Sequence, residues 1–152
     1  MNLFLTSINE VLVRDLNLLE KEIGLYTSEE KLWLVDGAIK NTGGNLCLHL
    51  CGNLQHFIGS VLGKNDYQRN RDFEFSGKDV ASSELLNQIK KTKDVINQVV
   101  PSISDEMLEQ NYPIQVFANK TVTTQFFLIH LATHLTYHLG QVNYHRRLLD
   151  PS

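Results

Sequence analysis

The sequence lacks a signal peptide and any apolar run long enough to cross a membrane. Its first residues carry no basic region and no small-residue cleavage site, and Glu10 and Arg14 end the first apolar run. No later stretch approaches the roughly 20 apolar residues that a membrane-spanning helix needs. These absences predict a cytoplasmic protein without a membrane partner.

Positive charge is also sparse. The chain has 14 Lys and Arg against 17 Asp and Glu, a net charge of −3, and the basic residues are scattered along the sequence. A nucleic-acid-binding domain normally concentrates its basic residues on one face or stripe. The charge pattern therefore predicts no nucleic-acid partner, and the expected partner is a small-molecule substrate.

Cysteine is scarce as well, with only Cys47 and Cys51 present. A disulfide framework is not expected in the cytoplasm, so these two are predicted to be free, small core residues. A chain of 152 residues is long enough to bury a core without disulfides or a structural metal. We predict one domain over residues 1–152.

Four long segments carry apolar residues at spacings of three and four, and no segment alternates as a strand does. The predicted helices cover about residues 3–23, 45–62, 82–100 and 121–149. The connections 64–78 and 102–120 are long, which indicates crossovers rather than simple up-and-down turns. The predicted fold is an all-α four-helix bundle with long crossover connections.

Shorter patterns mark the approach to the second helix. Residues 41–44, Asn-Thr-Gly-Gly, predict a loop. Residues 27–30, Thr-Ser-Glu-Glu, match a capping box and predict a brief helical turn before Trp33. The second helix itself is expected to bury a stripe formed by Leu46, Leu50, Leu54, Phe57 and Val61.

The six histidines all fall in the second and fourth predicted helices. At about 100° per residue, the fourth helix places Gln141 and four histidines within a sector of roughly 80°. Those histidines are His130, His134, His138 and His145. On the second helix, Asn53, His56 and Ser60 lie within about 60° of His49, whereas the cysteines lie roughly 160° away. This separation argues against a mixed His/Cys zinc site.

Two histidines four residues apart on a helix lie side by side, close enough to share one ion. A third imidazole from a facing helix would complete a three-nitrogen set and leave other coordination positions open, as in catalytic sites. Imidazole suits zinc, nickel, copper and iron, so the ligands alone do not choose the metal. The expected cofactor is one divalent ion, namely zinc, nickel, manganese or iron. His56 and His145 are expected to be structural, and His130 to be structural or to line the pocket.

The segment 134–141, His-Leu-Thr-Tyr-His-Leu-Gly-Gln, resembles the last-helix motif of the DinB/YfiT-like superfamily, and residues 48–54 resemble its first-histidine segment. The resemblance implies a bundle whose metal ligands are His49, His134 and His138. It also implies that Gly140 allows close packing and that Gln141 orients a ligand or a water. Asn53, His130 and Gln141 are the candidate residues for binding a cofactor or substrate.

Members of this superfamily with known activity are metal-dependent transferases and isomerases that use low-molecular-weight thiols. The first hypothesis is therefore a divalent-metal-dependent thiol S-transferase. The alternatives are a metal-dependent hydrolase, whose base would have to come from Glu10 or Asp15, and a non-enzymatic stress protein that binds metal or a small ligand. A homodimer is common among similar proteins, with Trp33 as a candidate interface residue.

Overall fold

The computed structural model describes residues 2–151; Met1 and Ser152, the ends of the predicted domain, lie outside them. The helices in chain order are α1 (Leu3–Leu25), α2 (Gly43–Leu54), α3 (Arg71–Ser76), α4 (Ser82–Val99), α5 (Asp105–Glu109) and α6 (Thr124–Leu149). α2 continues as a π-helical segment, Gln55–Leu62, and 3-10 turns cover Glu29–Trp33 and Val100–Ser102. The prediction of an all-α fold is confirmed.

The four long helices form the bundle. α1 packs against α4 and α6, and α2 packs against the same two helices. The side-chain amide of Gln55 donates to the hydroxyl of Thr92. Further toward the C-terminal ends of the two helices, Gly63 lies against Val99. Both pairs advance in the same direction along the chain, so the extended α2 and α4 run parallel.

α1 and α6 also run parallel to each other. Asp15 accepts a hydrogen bond from Thr136, and Glu22 accepts one from Asn143. α6 is antiparallel to α2, as the aromatic and histidine contacts between them show. The long helices therefore follow an up-down-down-up order, which matches the prediction of a four-helix bundle with crossover connections.

The connections follow from this order. Parallel neighbours cannot be joined by a tight turn, so the segment 63–81 travels back along the bundle from the end of the π-helical segment to the start of α4. The segments 26–42 and 100–123 instead join helices that are not neighbours, and they cross the two ends of the bundle. The long middle connection matters most for function, because it contains α3.

The start of α2 differs from the prediction, since Gly43 and Gly44 belong to the helix rather than to a loop. Thr42 caps the helix by accepting a hydrogen bond from the backbone N–H of Asn45. A side chain at Gly44 would meet the ring of Trp33 at 2.6 Å, and one at Gly43 would overlap the hydroxyl of Tyr26. These glycines therefore mark close packing under the 26–42 crossover, not a turn.

The second half of this helix also departs from the predicted stripe. Leu46, Leu50 and Leu54 are buried as expected, but Phe57 and Val61 are only half-buried. The π-helical segment begins at Gln55 and rotates the following side chains relative to an α-helix. Ile58 and Leu62 therefore take the buried positions and pack in the core.

The 3-10 turn Glu29–Trp33 confirms the predicted helical turn, but the capping box does not form. The hydroxyl and the backbone N–H of Thr27 both donate to Asp150, near the end of α6. The Trp33 ring packs against Gly44 and is half-buried, and its role at a homodimer interface stays a prediction. Among residues 2–151, no helix is long and apolar enough to span a membrane.

The close contact at Gly44 generates a stability prediction. We expect Gly44→Ala to lower the free energy of unfolding by about 1–3 kcal/mol, because the added methyl group forces the Trp33 ring to move. The measurement is urea denaturation followed by circular dichroism. Gly24→Ala is the matched control: nothing lies within 4 Å of its added Cβ, so it should stabilise α1 by about 0.5–1 kcal/mol. Equal effects of the two substitutions would contradict the packing argument.

Candidate metal centre

Three histidines from two helices converge at one point. His49 lies on α2, and His134 and His138 lie one turn apart on α6. One nitrogen of each ring lies within 4.8 Å of the corresponding nitrogens of the other two. The ring centroids of His134 and His138 are 4.6 Å apart, and that of His49 is 5.0 Å and 5.3 Å from theirs. The sequence-based set of three histidines is therefore brought together.

The spacing of the nitrogens fits a shared metal ion. His49 Nε2 and His134 Nε2 are 3.2 Å apart. Two nitrogens bound at about 2.0–2.1 Å to a tetrahedral ion would lie about 3.3 Å from each other. No cysteine or carboxylate joins the cluster among the residues that the structure describes. The three histidines can thus hold one ion through neutral nitrogen donors, while the ligand set alone does not specify which ion.

Hydrogen bonds direct two of the rings toward this point. His49 Nδ1 lies 2.9 Å from Glu74 Oε1, and His138 Nδ1 lies 2.7 Å from Gln141 Oε1. A carboxylate and an amide oxygen can only accept, so each Nδ1 carries the proton and each Nε2 keeps a free lone pair for the ion. Gln141 thus orients His138, a candidate metal ligand, rather than only a water or a substrate.

Glu74 is the main residue that the sequence analysis missed. It lies in α3, in a segment predicted to be a polar loop, yet only 4% of it is exposed. Arg69 holds it in a two-bond ion pair, with Nε 2.8 Å from Oε2 and Nη2 2.9 Å from Oε1. Gly52 makes room for it, because a Cβ at that position would overlap Glu74 Oε2. The signal in the sequence is Gly52, three residues after His49, which leaves space on α2 for a packed side chain.

Further contacts fix α3 over the site. The side-chain amide of Asn45 donates to the backbone oxygens of Glu74 and Gly77. The Phe75 ring lies 4.8 Å from the His49 ring, between centroids. α3 has only six residues, too few to show helical periodicity in the sequence. Its position depends on these tertiary contacts, which explains why sequence patterns did not reveal it.

Burial keeps the α6 imidazoles neutral. Desolvation, followed by the neighbouring His138, lowers the pKa of His134 to about 4. Desolvation also lowers the pKa of His138, although its hydrogen bond with Gln141 partly opposes the shift. Protons therefore compete with a metal ion for these nitrogens only below the ordinary histidine pKa of about 6.5.

The surroundings of Glu74 favour the charged form of its carboxyl group. Burial raises its pKa, but the hydrogen bonds from His49 and Arg69 outweigh burial and leave the pKa below its ordinary value. Glu74 is thus a carboxylate at neutral pH with both oxygens occupied. It can stabilise positive charge on His49, as carboxylates behind metal-bound histidines do, but it is not placed as a free base.

Asn53 and His130 lie on the far side of the three histidines from Gln141. α2 and α6 are antiparallel, so the turn after His49 faces the turn before His134. Asn53 is 7% exposed. Among residues 2–151, its Oδ1 has no hydrogen-bond partner, and Nδ1 of His134 has none either. The His130 ring stacks on that of His134 at 6.2 Å between centroids. The site thus offers polar atoms beside the three histidines.

Other expected residues lie elsewhere. His145 is buried: its Nδ1 accepts a hydrogen bond from Tyr26, and its Nε2 donates to the Leu34 carbonyl. It is therefore structural, as predicted. Asp15 is wrong as a candidate base, because it accepts hydrogen bonds from Thr136 and Arg14 instead.

Three further expectations have clear outcomes. Cys47 and Cys51 are free and fully buried, as predicted, and they do not belong to the histidine cluster. Gly140 does not serve close packing within the chain, since nothing lies within 4 Å of a Cβ built there. His56 is half-buried against Phe57, outside the cluster of three, which agrees with a structural role.

A family model described as a protein of unknown function, DUF1572, matches residues 1–151. The chain belongs to the DUF1572 family. The crystal structure of a conserved protein from Enterococcus faecalis has the same fold, with a TM-score of 0.74 and 18% sequence identity over 100% of this chain and 99% of that one. No curated protein matches the chain. At that level of identity, the crystal structure supports the fold of this DUF1572 chain and nothing more.

The histidine geometry predicts about one divalent ion per chain. His49→Ala, His134→Ala and His138→Ala should each reduce the bound metal to near zero, because two imidazoles do not complete the set. The measurement is elemental analysis of protein purified without an affinity tag. His56→Ala and the double variant Cys47→Ala/Cys51→Ala are controls that should keep the ion. Full metal content in His138→Ala would refute the assignment.

The Glu74 contact predicts a graded effect on the same ion. Glu74→Ala should weaken metal binding by about 10–100-fold, because His49 loses the partner that fixes its proton and its orientation. Competition with a chromogenic chelator measures the affinity. Asp72→Asn, an exposed change in the same short helix, is the matched control and should have no effect. Gly52→Ala should resemble Glu74→Ala, and wild-type affinity in both would show that Glu74 has no such role.

Proposed function

We propose that this DUF1572 chain is a DinB/YfiT-like metalloenzyme that transfers a low-molecular-weight thiol to an electrophilic substrate. The observation that supports this proposal best is the donor set. Three imidazoles converge, and no carboxylate joins them among residues 2–151. Neutral donors do not reduce the charge of a divalent ion. The negative charge of Glu74 acts only through His49, to which its carboxylate is hydrogen-bonded.

When bound, a divalent ion at this site supplies the positive charge that favours a thiolate over a thiol. The residues around it determine which groups can react. Phe75 lies against His49, and Phe127 stacks on His130 with ring centroids 5.5 Å apart. These aromatic rings suit an apolar electrophile and limit the access of water.

In this proposal, His130 takes the thiol proton. Burial lowers its pKa below the ordinary histidine value, so the ring is neutral at pH 7 and can accept a proton. Its stacking contact with His134 places it next to the three histidines without making it one of them. In the proposed reaction the thiol gives its proton to His130, a sulfur–carbon bond forms, and the leaving group departs with the electron pair of the broken bond.

Hydrolysis would use the same geometry, with His130 as the proton acceptor for water, and the resemblance to thiol-using proteins favours the transferase over it. A metal-assisted hydrolase generally uses a base whose pKa lies near the operating pH. Glu74 is the nearest carboxylate, but its pKa is lowered and His49 and Arg69 occupy its oxygens. A non-enzymatic protein that binds metal or a small ligand would keep the same site, and only turnover separates that function from a transferase.

The proposal predicts conjugation of a small thiol to a chlorinated aromatic or an alkyl halide by the metal-loaded protein. The rate should vanish on chelation and return with added metal. His130→Gln should lower turnover by about 10²-fold while keeping the metal, because it removes only the proton acceptor. Product formation is followed by mass spectrometry, and His56→Ala is the control with unchanged rate.

Binding supplies a second check on this prediction. Titration calorimetry with bacillithiol, mycothiol, glutathione and cysteine should show binding of a cosubstrate to the metal-loaded protein and none to the chelated protein. If no thiol binds and no conjugate forms across a broad set of electrophiles, the transferase proposal is wrong. A non-enzymatic metal-binding role would then describe the site better.

A further inference from the structure

α6 is poor in charge for a helix on the outside of a bundle. Among its 26 residues only Arg146 and Arg147 are charged, and both lie in its last turn. Its inner face packs on α1 and α2. A surface helix normally carries charged and polar residues on its opposite face, and a helix that is apolar all round is normally buried all round. The composition of α6 therefore indicates that its outer face is covered in an assembly.

Exposed side chains form one continuous stripe along that face, here called the outer stripe. At about 100° per residue, its members lie within a sector of roughly 120°. They are Phe126, Ile129, Thr133, Tyr137, Gly140, Gln141, Tyr144 and Leu148. Tyr137, Tyr144 and Leu148 are 65%, 62% and 61% exposed, and Phe126 and Ile129 are 45% and 43% exposed. Single exposed apolar residues are ordinary, but a contiguous apolar patch marks an interaction site.

The outer stripe is large enough for a stable contact. It extends from Phe126 to Leu148, which is about 33 Å along the helix. With about 200 Å² for a whole large side chain, the exposed fractions of its five large apolar residues leave roughly 500 Å² uncovered. A standard protein interface buries about 800 Å² per partner. These five side chains thus supply more than half of the area that a stable dimer needs.

The face is also symmetric about Tyr137. Thr133 and Gln141 lie four residues to either side of it, His130 and Tyr144 lie seven, and Phe126 and Leu148 lie eleven. Two antiparallel helices related by a twofold axis at Tyr137 therefore place each member of a pair opposite the other member in the second copy. A twofold contact requires such a self-complementary surface on each subunit.

Gly140 provides a notch for this contact. Nothing among the described residues lies within 4 Å of a Cβ built at Gly140, so packing within the chain does not require glycine there. Glycine inside a helix is destabilising relative to alanine, so its presence calls for another reason. Gly140 lies one turn after Tyr137 on the same face, and its missing side chain leaves space for the Tyr137 ring of a second copy.

We propose that a second copy of this chain covers the outer stripe, with the two α6 helices antiparallel and Tyr137 at the twofold axis. No Lys, Arg, Asp or Glu occurs between Lys120 and Arg146. The stripe therefore neither repels a second copy of itself nor attracts a charged partner such as a nucleic acid. The contact lies on α6 and not at Trp33, and it is independent of the proposed metal and thiol chemistry.

Sedimentation equilibrium of the full-length protein tests the contact. The wild-type protein should have twice the mass of one chain, and Tyr137→Arg should have the mass of one chain, because two like charges would meet at the axis. Gly140→Leu fills the notch without meeting the chain's own atoms and should dissociate the dimer as well. Gln98→Arg is the matched control: it adds the same charge at an exposed position of α4, the long helix that does not pack on α6, and should stay dimeric.

Cross-linking tests the register of the two helices. The double variant Thr133→Cys/Gln141→Cys should give a covalent dimer with a reagent that spans the roughly 8–10 Å between packed helices. Thr133→Cys without the second cysteine should react much less, because its two copies are offset by about 12 Å along the helices. Cys47 and Cys51 are fully buried, so they should not react.

A dimer that persists in both Tyr137→Arg and Gly140→Leu would overturn the proposal, as would the absence of a cross-link in the double cysteine variant. A monomeric wild-type protein would overturn it too. Binding of that monomer to uncharged phosphatidylcholine vesicles would then assign the outer stripe to a lipid surface instead. Circular dichroism of each variant checks that its helix content equals that of the wild type.

Discussion

The hydrogen bond between His49 and Glu74 is the contact on which the arrangement of the site depends. It joins a ring that faces α6 to a carboxylate carried by a six-residue helix outside the bundle. Each group would be costly to bury alone, because an unpaired buried polar group or charge loses its hydration without compensation. Arg69 completes the pairing from the other side of the carboxylate. The result is a fixed imidazole whose free nitrogen points toward the two histidines of α6.

The topology of the bundle explains why that carboxylate can come from a connection. α2 and α4 run parallel, so the chain must return along the outside of the bundle before α4 begins. This return passes the face of α2 that carries His49 and Gly52. The absence of a Cβ at Gly52 lets the Glu74 carboxylate approach the helix, and Asn45 holds the backbone of α3 by two hydrogen bonds. A simple up-and-down bundle would have a short turn here and no segment to supply Glu74.

The sequence predicted the parts of this structure that depend on periodicity. The four long helices and the convergence of His49, His134 and His138 follow from apolar spacing, histidine spacing and a motif resemblance. Features that depend on one tertiary contact were not predictable in this way. Gly43 and Gly44 have the composition of a loop, but the Tyr26 and Trp33 side chains determine their place in α2. The π-helical rotation that buries Ile58 in place of Phe57 leaves no mark in the amino-acid pattern.

The long separation of the histidines along the chain has a consequence for biosynthesis. His49 and His134 are 85 residues apart, and α6 leaves the ribosome after α1, α2 and α4. Contacts between such distant segments close a large loop, and they form only after the intervening chain is available. The nascent chain can therefore present His49 and Glu74 well before it presents the other two imidazoles. Capture of an ion by all three histidines would have to follow the synthesis of α6, so an ion at this site would not guide the folding of the first helices.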